Sequence, residues 1–325
     1  MSGGFLPYHL RQGKAIDRQL FLEMLTMVGR RFPVTDYTYV GMGGPFLEDF
    51  KAVHGLLGVQ RMISLELDEE VRKRQQYNRP LRCVECRLES TEDFVDHFDI
   101  EGPCIVWFDY AIARELPNQV AEFERLVAKL AHGDIVKITV NANAETLGQP
   151  QDLRGERLRE RRLHKLTSLL GNYVPRSVGA DAMRGVQYAD ALLQILRKAS
   201  ESAMEGSHDI LLPLGAFTYS DSHRMLTLTA LRITIEDKED FLRETGFDRW
   251  SLWNSEWEQP CDINVPLLSV RERLLVDRLL PADDAEALQT EIGFQLHDDP
   301  EHSLRLIQNY IRYYRHYPQF SRVLV

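Results

Sequence analysis

The chain has 325 residues, of which 44% are hydrophobic and 27% charged, enough for one large or two modest globular units with a buried core. Its 39 lysines and arginines against 49 aspartates and glutamates give a formal net charge of −10, which argues against a nucleic-acid coat or a polybasic membrane binder. No apolar stretch is long enough to span a bilayer, the first residues show no basic leader followed by an apolar run, and four cysteines are too few for a disulfide scaffold, so a reducing, cytoplasmic setting is expected.

In chain order, residues 14–31 predict an amphipathic helix. Ile16, Leu20, Met24, Met27 and Val28 form one stripe at spacings of three and four, and Pro33 stops it. Five short apolar runs follow: Tyr37–Gly41, Arg61–Leu67, Leu81–Leu88, Cys104–Tyr110 and Asp134–Val140. Helical stretches separate them, the one between the third and fourth being short. This alternation predicts βαβ units on a parallel sheet, and burial on both faces explains why the strands read as apolar runs. Two helical segments then span about 146–207, split at Tyr173-Val174-Pro175. Asp209–Ser220 and Met225–Ile233, joined by a short link, predict an antiparallel hairpin. Beyond residue 236 a mostly helical extension is expected, with helices near 268–280 and 301–315.

Chemistry concentrates at the strand ends. The first strand runs out into Gly41-Met42-Gly43-Gly44-Pro45; small residues at a strand-to-helix turn let a ligand approach the backbone. The second ends Ser64-Leu65-Glu66-Leu67-Asp68. An acidic residue there, some 20 residues past a glycine turn, suits a ribose diol. Glu66 is the candidate, because Asp68 reads as the N-cap of the next helix.

With the third strand ending Leu88-Glu89-Ser90, the fourth ending Phe108-Asp109-Tyr110 and the hairpin at the end, residues 35–235 resemble the class I S-adenosylmethionine-dependent methyltransferases, of O-methyltransferase type. The resemblance implies a Rossmann-like α/β fold, a doubly wound seven-stranded sheet whose last strand is antiparallel and inserted between the fifth and sixth. Residues 1–34 would form an N-terminal helical segment and 236–325 a C-terminal extension. It also implies roles. Gly41, Met42, Gly43 and Gly44 would line the methionine portion of S-adenosylmethionine, Glu66 would hold the ribose, and Glu89 or Ser90 would lie beside the adenine. Asp109 and Tyr110 would sit by the methyl group and the acceptor, with Asp109 as the candidate base. Two features depart from the family. Tyr39 stands where an acid is usual, and Asp109 is not followed by the two prolines and aromatic common in enzymes that methylate exocyclic amines, which points to oxygen as the acceptor atom. Both departures also fit a degenerate module that binds a nucleotide-like ligand or a protein partner. A dinucleotide oxidoreductase is disfavoured by the hairpin.

Other motifs weigh less. Asp109 with Asn141 and Asn143 is a poor oxygen set for magnesium, and Cys83-x-x-Cys86 has no fourth ligand at zinc spacing, so no metal is expected. Cys104 reads as a buried hydrophobe, and His54 and His97 as capping or surface residues. The segment Arg154–Lys165, rich in arginine with Glu156 and Glu160 interspersed, reads as a solvated helix with ion pairs at spacing four, or as a lid for an anionic substrate. Tyr310, Tyr313, Tyr314 and Tyr317 read as core or interface. Neither nucleic acid nor membrane is expected as a partner; a homo-oligomer or protein partner and the acceptor stay open.

Overall fold

The computed structural model describes residues 11–220 and 223–318. Its sheet has eight strands: β1 (Thr38–Gly41), β2 (Arg61–Glu66), β3 (Val84–Leu88), β4 (Cys104–Asp109), β5 (Ile135–Asn141), β6 (Asp209–Ser220), β7 (Arg224–Thr234) and β8 (Cys261–Ile263), in the order β3-β2-β1-β4-β5-β7-β6-β8. β7 runs antiparallel to both β5 and β6, and every other pairing is parallel. The strand order reverses between β1 and β4, so the ligand crevice of an open α/β sheet falls at their carboxyl ends.

The expected seven strands are thus joined by an eighth. β8 pairs only three residues with β6. It follows Pro260 and is too short to show any period, which is why pattern alone does not reveal it. Through β8 the C-terminal segment extends the same sheet that the N-terminal helix packs against.

Helices cover both faces. On one lie α4 (Thr91–His97), α5 (Leu116–Lys129), α6 (Gly155–Leu170) and α7 (Gly185–Ala203), closing a core that includes Val106, Phe108, Phe123, Ile138 and Leu192. On the other lie α1 (Gln12–Val28), α2 (Glu48–Leu57) and the helices α8 (Lys238–Thr245), α9 (Val270–Asp277), α10 (Ala285–Ile292) and α11 (Pro300–Tyr313), around Phe21, Phe50, Trp107 and Tyr310. α3 (Glu69–Asn78) follows β2 and begins at the expected cap, where the Asp68 carboxylate accepts from Glu70 N at 2.9 Å and Val71 N at 3.2 Å. Tyr310, Tyr313 and Tyr317 are buried, as core residues. No helix among the described residues is long and apolar enough to cross a membrane.

Candidate active site

The glycine turn leaves β1 at the reversal point. A side chain at Gly43 would bring its Cβ within 2.4 Å of Leu47 and 2.7 Å of Phe50, so glycine is required there by the close packing of turn on α2. Gly44 has φ +51, a conformation costly for other residues. The turn is tied down by Gly43 N donating to Ser64 Oγ at 3.3 Å, and Ser64 Oγ to Gln75 at 3.3 Å, linking β1 to β2 and α3.

Glu66 and Glu89 close the adjacent strand ends, with Glu89 N donating to the Glu66 carbonyl at 3.1 Å. The Glu66 carboxylate is half-buried, and one oxygen accepts from Asp68 N at 3.1 Å. Burial pushes its pKa up, as expected for a carboxylate with few neighbouring cations. Ser90 is the N-cap of α4: it accepts from Asp93 N at 2.9 Å and donates to Asp93 Oδ2 at 2.6 Å. Its hydroxyl is therefore engaged within its own helix turn.

Asp109 and Tyr110 are sequence neighbours that strand geometry sends to opposite faces. Asp109 shares its face with Trp107 and looks toward α1; Tyr110 joins the α5 side. The Tyr110 hydroxyl donates to Glu122 on α5 at 2.6 Å, a carboxylate that also accepts from Thr91 at 2.7 Å. Burial, with that carboxylate beside it, raises the phenol pKa well above its ordinary value. The expected Asp109–Tyr110 pair at one site is not assembled.

Asp109 gains other partners, from residues that the sequence pattern did not single out. α1 carries Lys14, Asp17 and Arg18 at spacings of three and four, hence on one helix face, and turns them toward the sheet. Lys14 Nζ donates to Asp109 Oδ2 at 2.7 Å, the two side chains being 10% and 14% exposed. Arg18 grips the Asp49 carboxylate of α2 with two nitrogens and lies 5.5 Å from the Trp107 ring centre. Asp17 accepts from Lys137 of β5 at 3.0 Å and from Thr227 of β7 at 2.6 Å. Lys137 sits between the Phe21 and Trp107 rings. Burial pushes the Asp109 pKa up, but the charges of Lys14 and Arg18 outweigh it and hold the carboxyl below its ordinary range. Burial lowers the pKa of Lys137 against the opposing pull of Asp17. Tyr39 projects toward the same group: its buried hydroxyl has no hydrogen-bond partner, and burial together with Asp49 lifts its pKa well above the ordinary phenol. The missed signal was polarity: Lys14, Asp17 and Arg18 interrupt the buried stripe of a helix read only for its apolar residues.

No group of three or more His, Cys, Asp or Glu residues that could hold a metal ion occurs among the described residues. Asn141 and Asn143 serve turn geometry, accepting from Asn143 N at 3.0 Å and Glu145 N at 3.1 Å. All four cysteines are free thiols, and burial raises that of Cys104 far above its ordinary value. In α6 the expected lattice of ion pairs at spacing four is absent among the described residues; Arg159 instead reaches Asp181 at 3.2 Å, and Arg162 donates to the Gly148 and Met183 carbonyls.

A family model described as "Putative O-methyltransferase" matches residues 6–325. No curated protein matches the chain in sequence. Solved structures resemble it distantly. An O-methyltransferase from Bacillus cereus in complex with SAH is 12% identical with TM-score 0.38, over 67% of this chain and 80% of that one. The O-methyltransferase TomG from Streptomyces achromogenes, in complex with SAM, is 13% identical with TM-score 0.35, over 65% and 79%.

Proposed function

The chain belongs to this O-methyltransferase family, and on that footing we propose that it binds S-adenosylmethionine at the crevice between β1 and β4 and transfers the methyl group to an oxygen. The observation that carries the cofactor site is the convergence on that crevice of a close-packed glycine turn, an acidic strand end and buried charges of both signs. Those residues fit the cofactor's chemistry. Gly41, Met42, Gly43 and Gly44 present backbone to its methionine portion. Glu66 keeps a carboxylate oxygen for the ribose hydroxyls, and Glu89 flanks the adenine, with Ser90 shaping the loop as a cap. The ammonium of the methionine portion needs an anion, and Tyr39 supplies none.

When bound, S-adenosylmethionine supplies a methyl group already activated by its sulfonium. The chain's task is then alignment and charge placement. Asp109 stands at the end of β4, where the acceptor meets the cofactor, and is kept ionised by Lys14. Tyr110 contributes through the strand end, its phenol locking β4 to α5.

The test is calorimetric titration of the purified protein with S-adenosylmethionine and, in parallel, with NAD. Micromolar binding of the first alone is expected, and Glu66→Ala should abolish it without unfolding the chain. Failure of the folded protein to bind S-adenosylmethionine would overturn the proposal; unchanged affinity in Glu66→Ala would overturn the ribose assignment.

A further inference from the structure

We infer that the Tyr39 hydroxyl is a cofactor-binding group, hydrogen-bonded to the zwitterionic amino-acid end of S-adenosylmethionine at the root of the glycine turn. The inference rests on the methyltransferase reading above and adds one binding residue to it.

The first observation is an orphaned polar atom. Tyr39 is 0% exposed, and its hydroxyl has no hydrogen-bond partner. A buried tyrosine hydroxyl ordinarily finds one. Three others in this chain do: Tyr37 donates to the Gly133 carbonyl at 2.9 Å, Tyr110 to Glu122 at 2.6 Å and Tyr317 to the Pro266 carbonyl at 3.0 Å. The Tyr39 ring packs edge-on against Phe50 of α2, with centroids 5.0 Å apart, and a phenylalanine would make that contact equally well. The oxygen therefore leaves the folded chain with an unmade hydrogen bond and adds nothing to this packing.

The second observation is where that oxygen lies. Tyr39 and Gly41 are alternate residues of β1 and so share a face. The hydroxyl is 3.2 Å, and the ring carbon that bears it 3.4 Å, from the position that a Cβ on Gly41 would take. The ring thus runs along the strand toward its carboxyl end, and the hydroxyl fills the flank that Gly41 leaves bare where the Gly41–Gly44 turn begins. This is the end of β1 that borders the crevice. The polar groups around it are engaged with one another: Asp109 with Lys14, Asp49 with Arg18, and Trp107 Nε1 with Thr139 at 3.0 Å.

The chemistry of the two partners matches. Burial and the Asp49 carboxylate keep the phenol protonated, and a neutral phenol both donates and accepts through one atom. The amino-acid end of S-adenosylmethionine presents ammonium donors and carboxylate acceptors side by side, whereas its adenine and ribose carry no charge. A hydrogen bond to either charged group is charge-assisted, and away from water it is stronger still. In the proposed pose Glu66 and Glu89 hold the ribose and adenine at the ends of β2 and β3, which leaves the end of β1 to the amino-acid part.

The experiment is calorimetric titration of the full chain with S-adenosylhomocysteine and with methylthioadenosine, which shares its nucleoside and thioether but has no amino-acid end. Both the unaltered protein and Tyr39→Phe are titrated, and both are unfolded in urea. Tyr39→Phe should bind S-adenosylhomocysteine about tenfold more weakly, as for a lost hydrogen bond to a charged group, and methylthioadenosine within about twofold of the unaltered protein. Its urea midpoint should be unchanged or higher, since the missing hydroxyl has no partner in the chain. Unchanged affinity for S-adenosylhomocysteine would overturn the inference. So would an equal loss for the two ligands, which would mean that the ring shapes the turn as a whole. A lower urea midpoint would overturn its premise, by showing the hydroxyl bonded within the chain. Binding of neither ligand by the folded, unaltered protein is a separate outcome: it would overturn the methyltransferase reading, and this inference with it.

Discussion

Removing Asp17 should unfold a large fraction of this protein's stability margin. Its carboxylate faces Lys137, whose side chain is 0% exposed, at 3.0 Å, and also takes the Thr227 hydroxyl. In Asp17→Ala the ammonium keeps the Phe21 and Trp107 rings, at 5.1 and 4.8 Å, and the more distant charge of Asp109, but no hydrogen-bonded anion among the described residues. Breaking a buried pair from one side costs about 3–5 kcal/mol, against a total of about 5–15 kcal/mol for a typical domain. The double variant Asp17→Leu/Lys137→Met removes both charges beside aromatic rings that can pack on the new side chains, and should recover most of the loss. The pH dependence has a definite sign. Burial lowers the native pKa of Lys137, so between that value and the unfolded value of about 10.4 the unfolded chain binds more protons and stability rises with pH. Without Asp17 the native value falls further and the window widens downward, so the deficit of Asp17→Ala should shrink as pH rises. Urea unfolding, followed by near-ultraviolet circular dichroism between pH 6 and 9, measures the unaltered protein and both variants. A loss below about 1 kcal/mol in the single variant, or a double variant no better than the single, would refute the buried-pair account.

Two further outcomes follow from the site geometry. Gly43→Ala forces a methyl group to within 2.4 Å of Leu47 and should cost about 1–3 kcal/mol in urea unfolding, whereas Gly55→Ala, with nothing within 4 Å, should not destabilise the chain. Tyr110→Phe removes a donor to Glu122, which retains Thr91, and should leave S-adenosylmethionine affinity unchanged by calorimetry while lowering stability by about 1 kcal/mol; a large loss of affinity would mean that the phenol serves the cofactor side.

The strands were legible because each apolar run is bounded by turn residues and separated by a helical stretch, whereas the place of the last strand between the fifth and sixth came from the family resemblance. β6 spans Asp209–Ser220 as the pattern predicts, and the hairpin places β7 antiparallel between β5 and β6. β8 was not legible, since three residues carry no period. At the site, Glu66 and the glycine turn were readable as local motifs at strand ends. The charges around Asp109 were not, because they join α1 to strands more than ninety positions away in sequence, as in the Lys14–Asp109 and Asp17–Lys137 pairs.

The division between Asp109 and Tyr110 shows how such a site is built. Strand parity allows only alternate residues of β4 to face α1, so Trp107 and Asp109 look one way and Phe108 and Tyr110 the other. The parallel register then sets Thr139 of β5 beside Asp109, and the antiparallel register sets Thr227 of β7 beside Thr139. A polar row therefore crosses three strands on the face where α1 lays Lys14, Asp17 and Arg18. Those charges can be buried there because each meets an opposite charge contributed by another element. The same pairing keeps Asp109 ionised near neutrality, since Lys14 favours its charged form, which makes it a weak proton acceptor.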